Sequence, residues 1–91
     1  MTNHFEDEKF INKVEAILQK FGNNKNRLLL SMKRFEVDSV QYKTFDCALC
    51  YLLYKALKLT NNKNIKELSE QLNIRIQNNI EKIQVINAAN V

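Results

Sequence analysis

The sequence predicts an all-α domain, a small bundle of four to five helices around a central apolar helix at about residues 40–59. The chain has 91 residues, with no proline and a single glycine, Gly22. Sheets with tight turns need many such residues, so helices joined by asparagine-containing loops are favoured. Apolar residues also recur at spacings of three and four through most of the chain. Finally, segment 40–59 is apolar nearly all around its axis, which predicts that other helices surround it.

Length and charge restrict the class of protein only broadly. The chain is long enough for one domain, residues 1–91, and its net charge of +4 permits nucleic acid, an acidic protein or an anionic surface as partner. The opening MTNHFEDEKF lacks the apolar run of a signal peptide. The longest uncharged apolar run, CALCYLLY at 47–54, is too short to cross a bilayer. We therefore expect a cytoplasmic protein with no membrane span.

Two helices are predicted in the first half of the chain. The first covers about residues 5–21, where an apolar stripe follows acidic residues in the first turn. Gly22 can take the left-handed position that ends this helix. Asn26 is the predicted N-cap of a short second helix at residues 27–35.

The third predicted helix is the central one. Asp38 or Ser39 can cap it, because both follow a break in the apolar pattern at residues 36–39. Its wide apolar face contains Phe45, Leu49, Leu52, Leu53, Ala56 and Leu57.

The last third of the chain, which begins with Asn64 as the predicted cap, allows three interpretations. An apolar stripe at spacings of three and four would give one helix to about residue 88; its members are Leu72, Ile76, Ile80, Ile83 and Ile86. Alternatively, Asn73 and Ile74 form a tight turn between two helices. The third interpretation pairs LNIRIQ with EKIQVI as a hairpin around Asn78 and Asn79, although Asn-Asn is a weaker hairpin signal than Asn-Gly.

The turn interpretation makes residues 64–88 a helix-turn-helix candidate. The motif needs a small residue in its first helix, Asn or Gly four positions later, and an aliphatic residue next. Ser69, Asn73 and Ile74 meet these requirements. The motif then needs aliphatic residues at positions 79 and 82, which are Asn79 and Lys82 here, so the fit holds only with a turn one residue longer.

The leading functional hypothesis is a small DNA-associated regulator that binds as a homodimer. The predicted base-contacting residues are Arg75, Gln77 and Asn78, whose side chains can form paired hydrogen bonds with base edges. The predicted phosphate-contacting residues are Lys58, Lys63 and Lys66.

The alternative hypothesis is a non-catalytic protein-binding module, such as an inhibitor, immunity protein, adaptor or secretion chaperone. An unbroken helix from about 65 to 88, with Ile76 and Ile83 exposed on one side, favours it. Two basic stretches without acids, 20–34 and 55–66, serve either hypothesis if they form one patch.

The sequence contains no recognisable catalytic or metal-binding set. Cys47 and Cys50 form a C-x-x-C pair, but zinc normally takes four ligands and the only histidine is His4. On a helix the two cysteines share one face, so we expect them to pack in the core. With no phosphate-binding loop or nucleophile motif either, we expect no enzyme activity, metal or cofactor.

Overall fold

The computed structural model describes residues 8–60 and 63–89, and within these ranges the chain is all-helical, with four helices and no strand. In chain order they are α1 (Glu8–Lys20), α2 (Lys25–Met32), α3 (Val40–Lys58) and α4 (Ile65–Ala89). The all-α prediction is therefore confirmed, with the lower of the two expected helix numbers. Helix α3 packs against each of the other three, so it is the central element that segment 40–59 predicted.

Helix α1 packs through an apolar stripe and ends in a left-handed turn. Val14 and Leu18 are buried in the core. Gly22 has φ 63° and Asn23 has φ 52°, and the N–H of Asn23 donates to the carbonyl oxygen of Leu18 over 2.8 Å. The predicted role of Gly22 is confirmed. The predicted start of this helix, near Phe5, lies outside the described residues.

Helix α2 begins two residues earlier than predicted, because a different asparagine caps it. The Asn24 side-chain oxygen accepts hydrogen bonds from the backbone N–H groups of Asn26 and Arg27, at 3.0 and 3.2 Å. The prediction of Asn26 as the cap was wrong, since Asn26 lies inside the helix. Several neighbouring asparagines can cap a helix equally well, and the chain leaving the left-handed turn places Asn24 at the cap. The helix also ends earlier, at Met32.

Helix α3 is capped by Ser39, one of the two predicted candidates. The Ser39 Oγ accepts a hydrogen bond from the Tyr42 N–H at 3.1 Å and donates to the Glu36 carbonyl oxygen at 2.7 Å. The buried residues of α3 all lie among its first eleven residues: Lys43, Thr44, Asp46, Cys47, Ala48, Leu49 and Cys50. Its second half is only partly covered, which leaves apolar side chains near the surface.

Helix α4 is continuous over its 25 residues. Asn73 and Ile74 are helical, so neither the turn of a helix-turn-helix nor the hairpin is formed, and the single-helix interpretation is confirmed. Asparagine inside a helix costs well under about 1 kcal/mol relative to alanine, and no glycine offers a cheap left-handed position here. Burial of the stripe outweighs that cost, since Ile76 and Ile80 are only 3% and 8% exposed. The expected exposure of Ile76 and Ile83 was therefore wrong, because Ile76 is buried against α3 and Ile83 is half-buried.

Helices α3 and α4 pack antiparallel as a helical hairpin. Asp46 hydrogen-bonds to Arg75 and Asn79, and Cys47 approaches the backbone of Ile76. This register places the start of α4 beside the end of α3. Helix α4 is about 37 Å long and α3 about 28 Å, so residues 84–89 extend past the start of α3.

Candidate functional site

A buried carboxylate connects α3 and α4. Asp46 is 5% exposed. Its Oδ2 accepts hydrogen bonds from Arg75 Nε at 2.8 Å and from Asn79 Nδ2 at 2.7 Å, and its Oδ1 accepts one from Arg75 Nη2. We call these three residues the Asp46 clasp. Its paired guanidinium–carboxylate geometry is the strongest kind of side-chain hydrogen bonding in proteins, and it fixes the register of the two helices.

The cationic side of the clasp faces solvent. The Arg75 side chain is 55% exposed, whereas that of Asp46 is 7% exposed. Hydrogen bonding to Asp46 raises the pKa of the Arg75 guanidinium, partly offset by desolvation. Asp46 uses the Nε and Nη2 positions, so the Nη1 end of the guanidinium remains directed away from Asp46. A ligand carboxylate could reach that end without breaking the clasp.

The three predicted base-contacting residues do not come together on one surface. Successive residues of a helix are rotated by about 100°, so Arg75 and Gln77 lie on opposite flanks of α4. Gln77 is half-buried and Asn78 is exposed. Arg75 is held in the clasp.

The predicted phosphate-contacting lysines lie near the α3–α4 connection. Lys58 Nζ sits 4.5 Å from the centre of the Tyr54 ring, in a cation–π contact. Lys63 and Lys66 are exposed at the start of α4.

The two basic stretches, 20–34 and 55–66, lie towards opposite ends of α3. In the first, Arg27 lies over the Phe21 ring at 5.8 Å, and Phe21 packs edge-on against Phe45 with ring centres 5.5 Å apart. The second stretch begins ten residues beyond Phe45 on α3, about 15 Å along the axis. The described residues of the two stretches are therefore separated along α3 and do not form the single positive patch considered from sequence.

Cys47 and Cys50 are buried in the core, at 1% and 0% exposure, which confirms their predicted packing role. The Cys47 Sγ lies 3.9 Å from the carbonyl oxygen of Ile76, so this small side chain permits close approach of α4. Burial raises the pKa of the Cys47 thiol to about 12 and that of the Cys50 thiol to about 11. Both thiols are therefore neutral at physiological pH and poor nucleophiles.

Among residues 8–60 and 63–89, no group of three or more His, Cys, Asp or Glu side chains is placed to hold a metal ion. The four helices found there include none with a long enough apolar stretch to traverse a bilayer.

Two apolar pockets open along one side of α3. The first, of about 550 Å³, lies between α2 and the start of α3, and its walls include Leu29, Leu30 and Tyr42. The second, of about 350 Å³, lies between the end of α3 and the start of α4; its lining includes Leu53, Ala56, Leu57, Leu68 and Leu72.

Both pockets share one face of α3. Tyr42, Asp46, Leu49, Leu53 and Leu57 recur at spacings of four and three, so they project to the same side of the helix. The Asp46 clasp therefore lies between the pockets, whose α3 residues are about 16 to 22 Å apart along the axis, measured from Tyr42 to Leu53 and to Leu57. We call the two pockets with Arg75 between them the docking face.

The charged residue described in the lining of the two pockets is basic, whereas Asp38 lies with Lys82 and Val85 at a separate cavity. Lys33 borders the first pocket, and none of the described residues that line either pocket is acidic. On α4, Arg75 and Lys82 lie on the same flank as Gln71, which lines the second pocket. The buried Asp46 carboxylate is neutralised by Arg75. The docking face thus combines apolar pockets with a cationic border.

Sequence reasoning missed Asp46 and Asn79, although a signal was available. Asp46 is the only acidic residue between Asp38 and Glu67, and it lies in the most apolar helix. An isolated acid in such a helix predicts a buried partner of opposite charge. No local pattern could identify Arg75 as that partner, because the two are 29 residues apart.

Comparison of the chain with protein-family models, with curated proteins and with solved structures finds no match. The chemistry of the docking face is therefore the basis of the functional argument.

The first prediction concerns the Asp46 clasp. Replacing Arg75 by alanine leaves a buried carboxylate without its cation, so the free energy of unfolding should fall by about 2–4 kcal/mol in urea titrations followed by circular dichroism. Adding Asp46→Asn to that variant should restore part of the loss, because a neutral amide is less costly to bury. Lys82→Ala, on the same flank, should change stability by less than about 0.5 kcal/mol. Equal losses for Arg75→Ala and Lys82→Ala would contradict the clasp.

The second prediction concerns the buried thiols. Their folded-state pKa values lie above the ordinary 9.0, so the unfolded chain loses these protons first as pH rises. Stability should therefore fall between about pH 9 and pH 11, by up to about 1.4 kcal/mol per pH unit for each thiol. A Cys47→Ala/Cys50→Ala variant should show a shallower fall in urea titrations across this range. An identical pH dependence in both proteins would show that the thiols are not desolvated.

Proposed function

We propose that this protein is a non-catalytic protein-binding module whose docking face receives an amphipathic helical segment bearing acidic residues. The observation that carries the proposal is the pair of apolar pockets on one face of α3, separated by a solvent-facing Arg75. Helix-in-groove recognition uses apolar anchors at helical spacings, and pockets whose α3 residues are about 16 to 22 Å apart suit anchors three to four turns apart.

Exposed apolar residues at the pocket edges support the proposal. Leu30 is 62% exposed and Leu29 is 37% exposed, beside the first pocket. At the second pocket Ala56 is exposed, while Leu53 and Leu68 are half-buried. A bound helix would remove these side chains from water, which stabilises the complex by about 25 cal/mol for each Å² of apolar surface that is buried.

Charge supports an acidic partner. Lys33 lines the first pocket and Arg75 lies between the pockets, and the guanidinium of Arg75 is held in position by Asp46 before any ligand arrives. A cation fixed in this way loses little side-chain entropy on binding a carboxylate. The fixed guanidinium therefore both attracts and orients an acidic segment, whereas it repels a basic segment.

The geometry favours this proposal over DNA binding. The DNA hypothesis depended on a turn at Asn73 and Ile74, and both residues lie within continuous α4. It also depended on Arg75 reaching a base edge, and Arg75 already uses Nε and Nη2 on Asp46.

The third prediction tests the docking face with a synthetic probe. The probe is a helical peptide of about 18 residues with leucines at i, i+4, i+7 and i+11 and glutamates on both flanks. By fluorescence anisotropy it should bind at least about tenfold more tightly than the same peptide with lysines in place of glutamates, and more weakly as salt rises. A Leu30→Glu/Ala56→Glu variant should lose at least about tenfold in affinity.

Val37→Glu provides the control, because Val37 is 63% exposed and lines neither pocket. That variant should bind the acidic peptide like the unmodified protein. Equal affinity for acidic and basic peptides would overturn the proposal. So would a labelled DNA duplex that binds with steep salt dependence while the acidic peptide does not.

A further inference from the structure

We infer that the docking face receives the outer face of α4 from a second copy of this chain. This inference rests on the proposed function, since it names a partner for the same docking face. The outer face of α4 consists of Glu67, Glu70, Ile74, Glu81 and Val85, which lie within a span of about 60° around the helix. It is opposite the stripe that packs on α3.

The outer face of α4 has the composition that the docking face requires. Ile74 is 57% exposed and Val85 is 69% exposed, so both side chains can contact a partner without any change in the fold. They are flanked by Glu67, Glu70 and Glu81, which are all the acidic residues of α4. The segment is therefore an amphipathic acidic surface with two apolar anchors.

The spacing of the anchors matches the distance between the nearest α3 residues of the two pockets. Ile74 and Val85 are eleven residues apart on α4, and the pocket residues Tyr42 and Leu53 are eleven residues apart on α3. Eleven residues make almost three whole turns, so each pair projects to one side of its helix, about 16 Å apart. With α4 of the second copy aligned along α3, one anchor can enter each pocket.

The charges of the two surfaces are opposite. The acids of the outer face would meet Lys33 at the first pocket and Arg75 between the two pockets. Acidic and basic residues are separated around α4. Its three acids lie on the outer face, while Arg75 and Lys82 lie on the flank beside the docking face. Such complementarity sets the orientation of partners and makes their association sensitive to salt.

Two copies can satisfy both contacts at once. The flank that borders the docking face is adjacent to the outer face around α4, so a two-fold arrangement allows each copy to donate one helix and accept another. A single helix face in a shallow groove buries less than the roughly 800 Å² per partner of a standard interface. We therefore expect a dimer with a roughly micromolar dissociation constant.

The fourth prediction is a complementation experiment followed by sedimentation velocity. The face variant is Ile74→Glu/Val85→Glu, and the pocket variant is Leu30→Glu/Ala56→Glu; all four positions are exposed, so folding should be preserved. Unmodified protein should dimerise and dissociate with added salt. Each variant alone should be monomeric, with dissociation constants raised at least about tenfold. Their equimolar mixture should form one-to-one heterodimers that associate more tightly than either variant alone, because one of the two docking contacts remains intact.

The experiment separates this inference from the proposed function. The face variant keeps its pockets and should still bind the acidic peptide, whereas the pocket variant should not. Val37→Glu should dimerise like the unmodified protein. Unmodified protein that stays monomeric at about 1 mM would overturn the inference, and peptide binding would then stand alone. Dimers that persist in both variants, or a mixture that stays monomeric, would also overturn it.

Discussion

The contact between Asp46 and Arg75 determines how the two longest helices of this protein lie against each other. A buried carboxylate loses its hydration, and only a cation or several hydrogen-bond donors can compensate for that loss. Asp46 obtains three such hydrogen bonds, two from Arg75 and one from Asn79, all from α4. Any other register of α3 and α4 would leave this charge unpaired. The clasp therefore selects one arrangement from the several that an apolar interface alone would allow.

The pockets and the charges follow from that register. Holding Asp46 against Arg75 brings Leu68 and Leu72 beside the end of α3, where the second pocket forms. The same rotation of α4 places Lys82 on the flank of the docking face and turns Ile74 towards solvent. The docking face and the outer face of α4 are thus both positioned by one interior contact, that between Asp46 and Arg75.

The elements of the fold were predictable wherever a local rule decides the outcome. The lone Gly22, the capping Ser39 and the apolar surround of α3 all depend on neighbours close in sequence. The buried thiols were also predictable, because a C-x-x-C pair on a helix without further ligands packs inward. Asn24 was missed as a cap because several neighbouring asparagines are chemically equivalent.

The candidate site was not predictable in the same way, because its parts are distant in sequence. The helix-turn-helix interpretation weighed Asn73 against a local template, whereas the continuity of α4 depends on burial of Ile76 and Ile80 against α3. The lone Asp46 indicated a buried pair but not its partner. Likewise, the separation of the two basic stretches depends on how α1 and α2 pack on α3. The spacing of residues along the sequence carries no information on that packing.

Native-state hydrogen exchange of the backbone amides at residues 73–77 tests the central claim most directly. In an unbroken α4 clasped to α3, these amides are hydrogen-bonded within the helix. They should exchange as slowly as those of Ile80 and Cys50, with protection approaching the free energy of global unfolding. Fast exchange confined to residues 73–75, beside protected amides on both sides, would place a turn there and contradict the account.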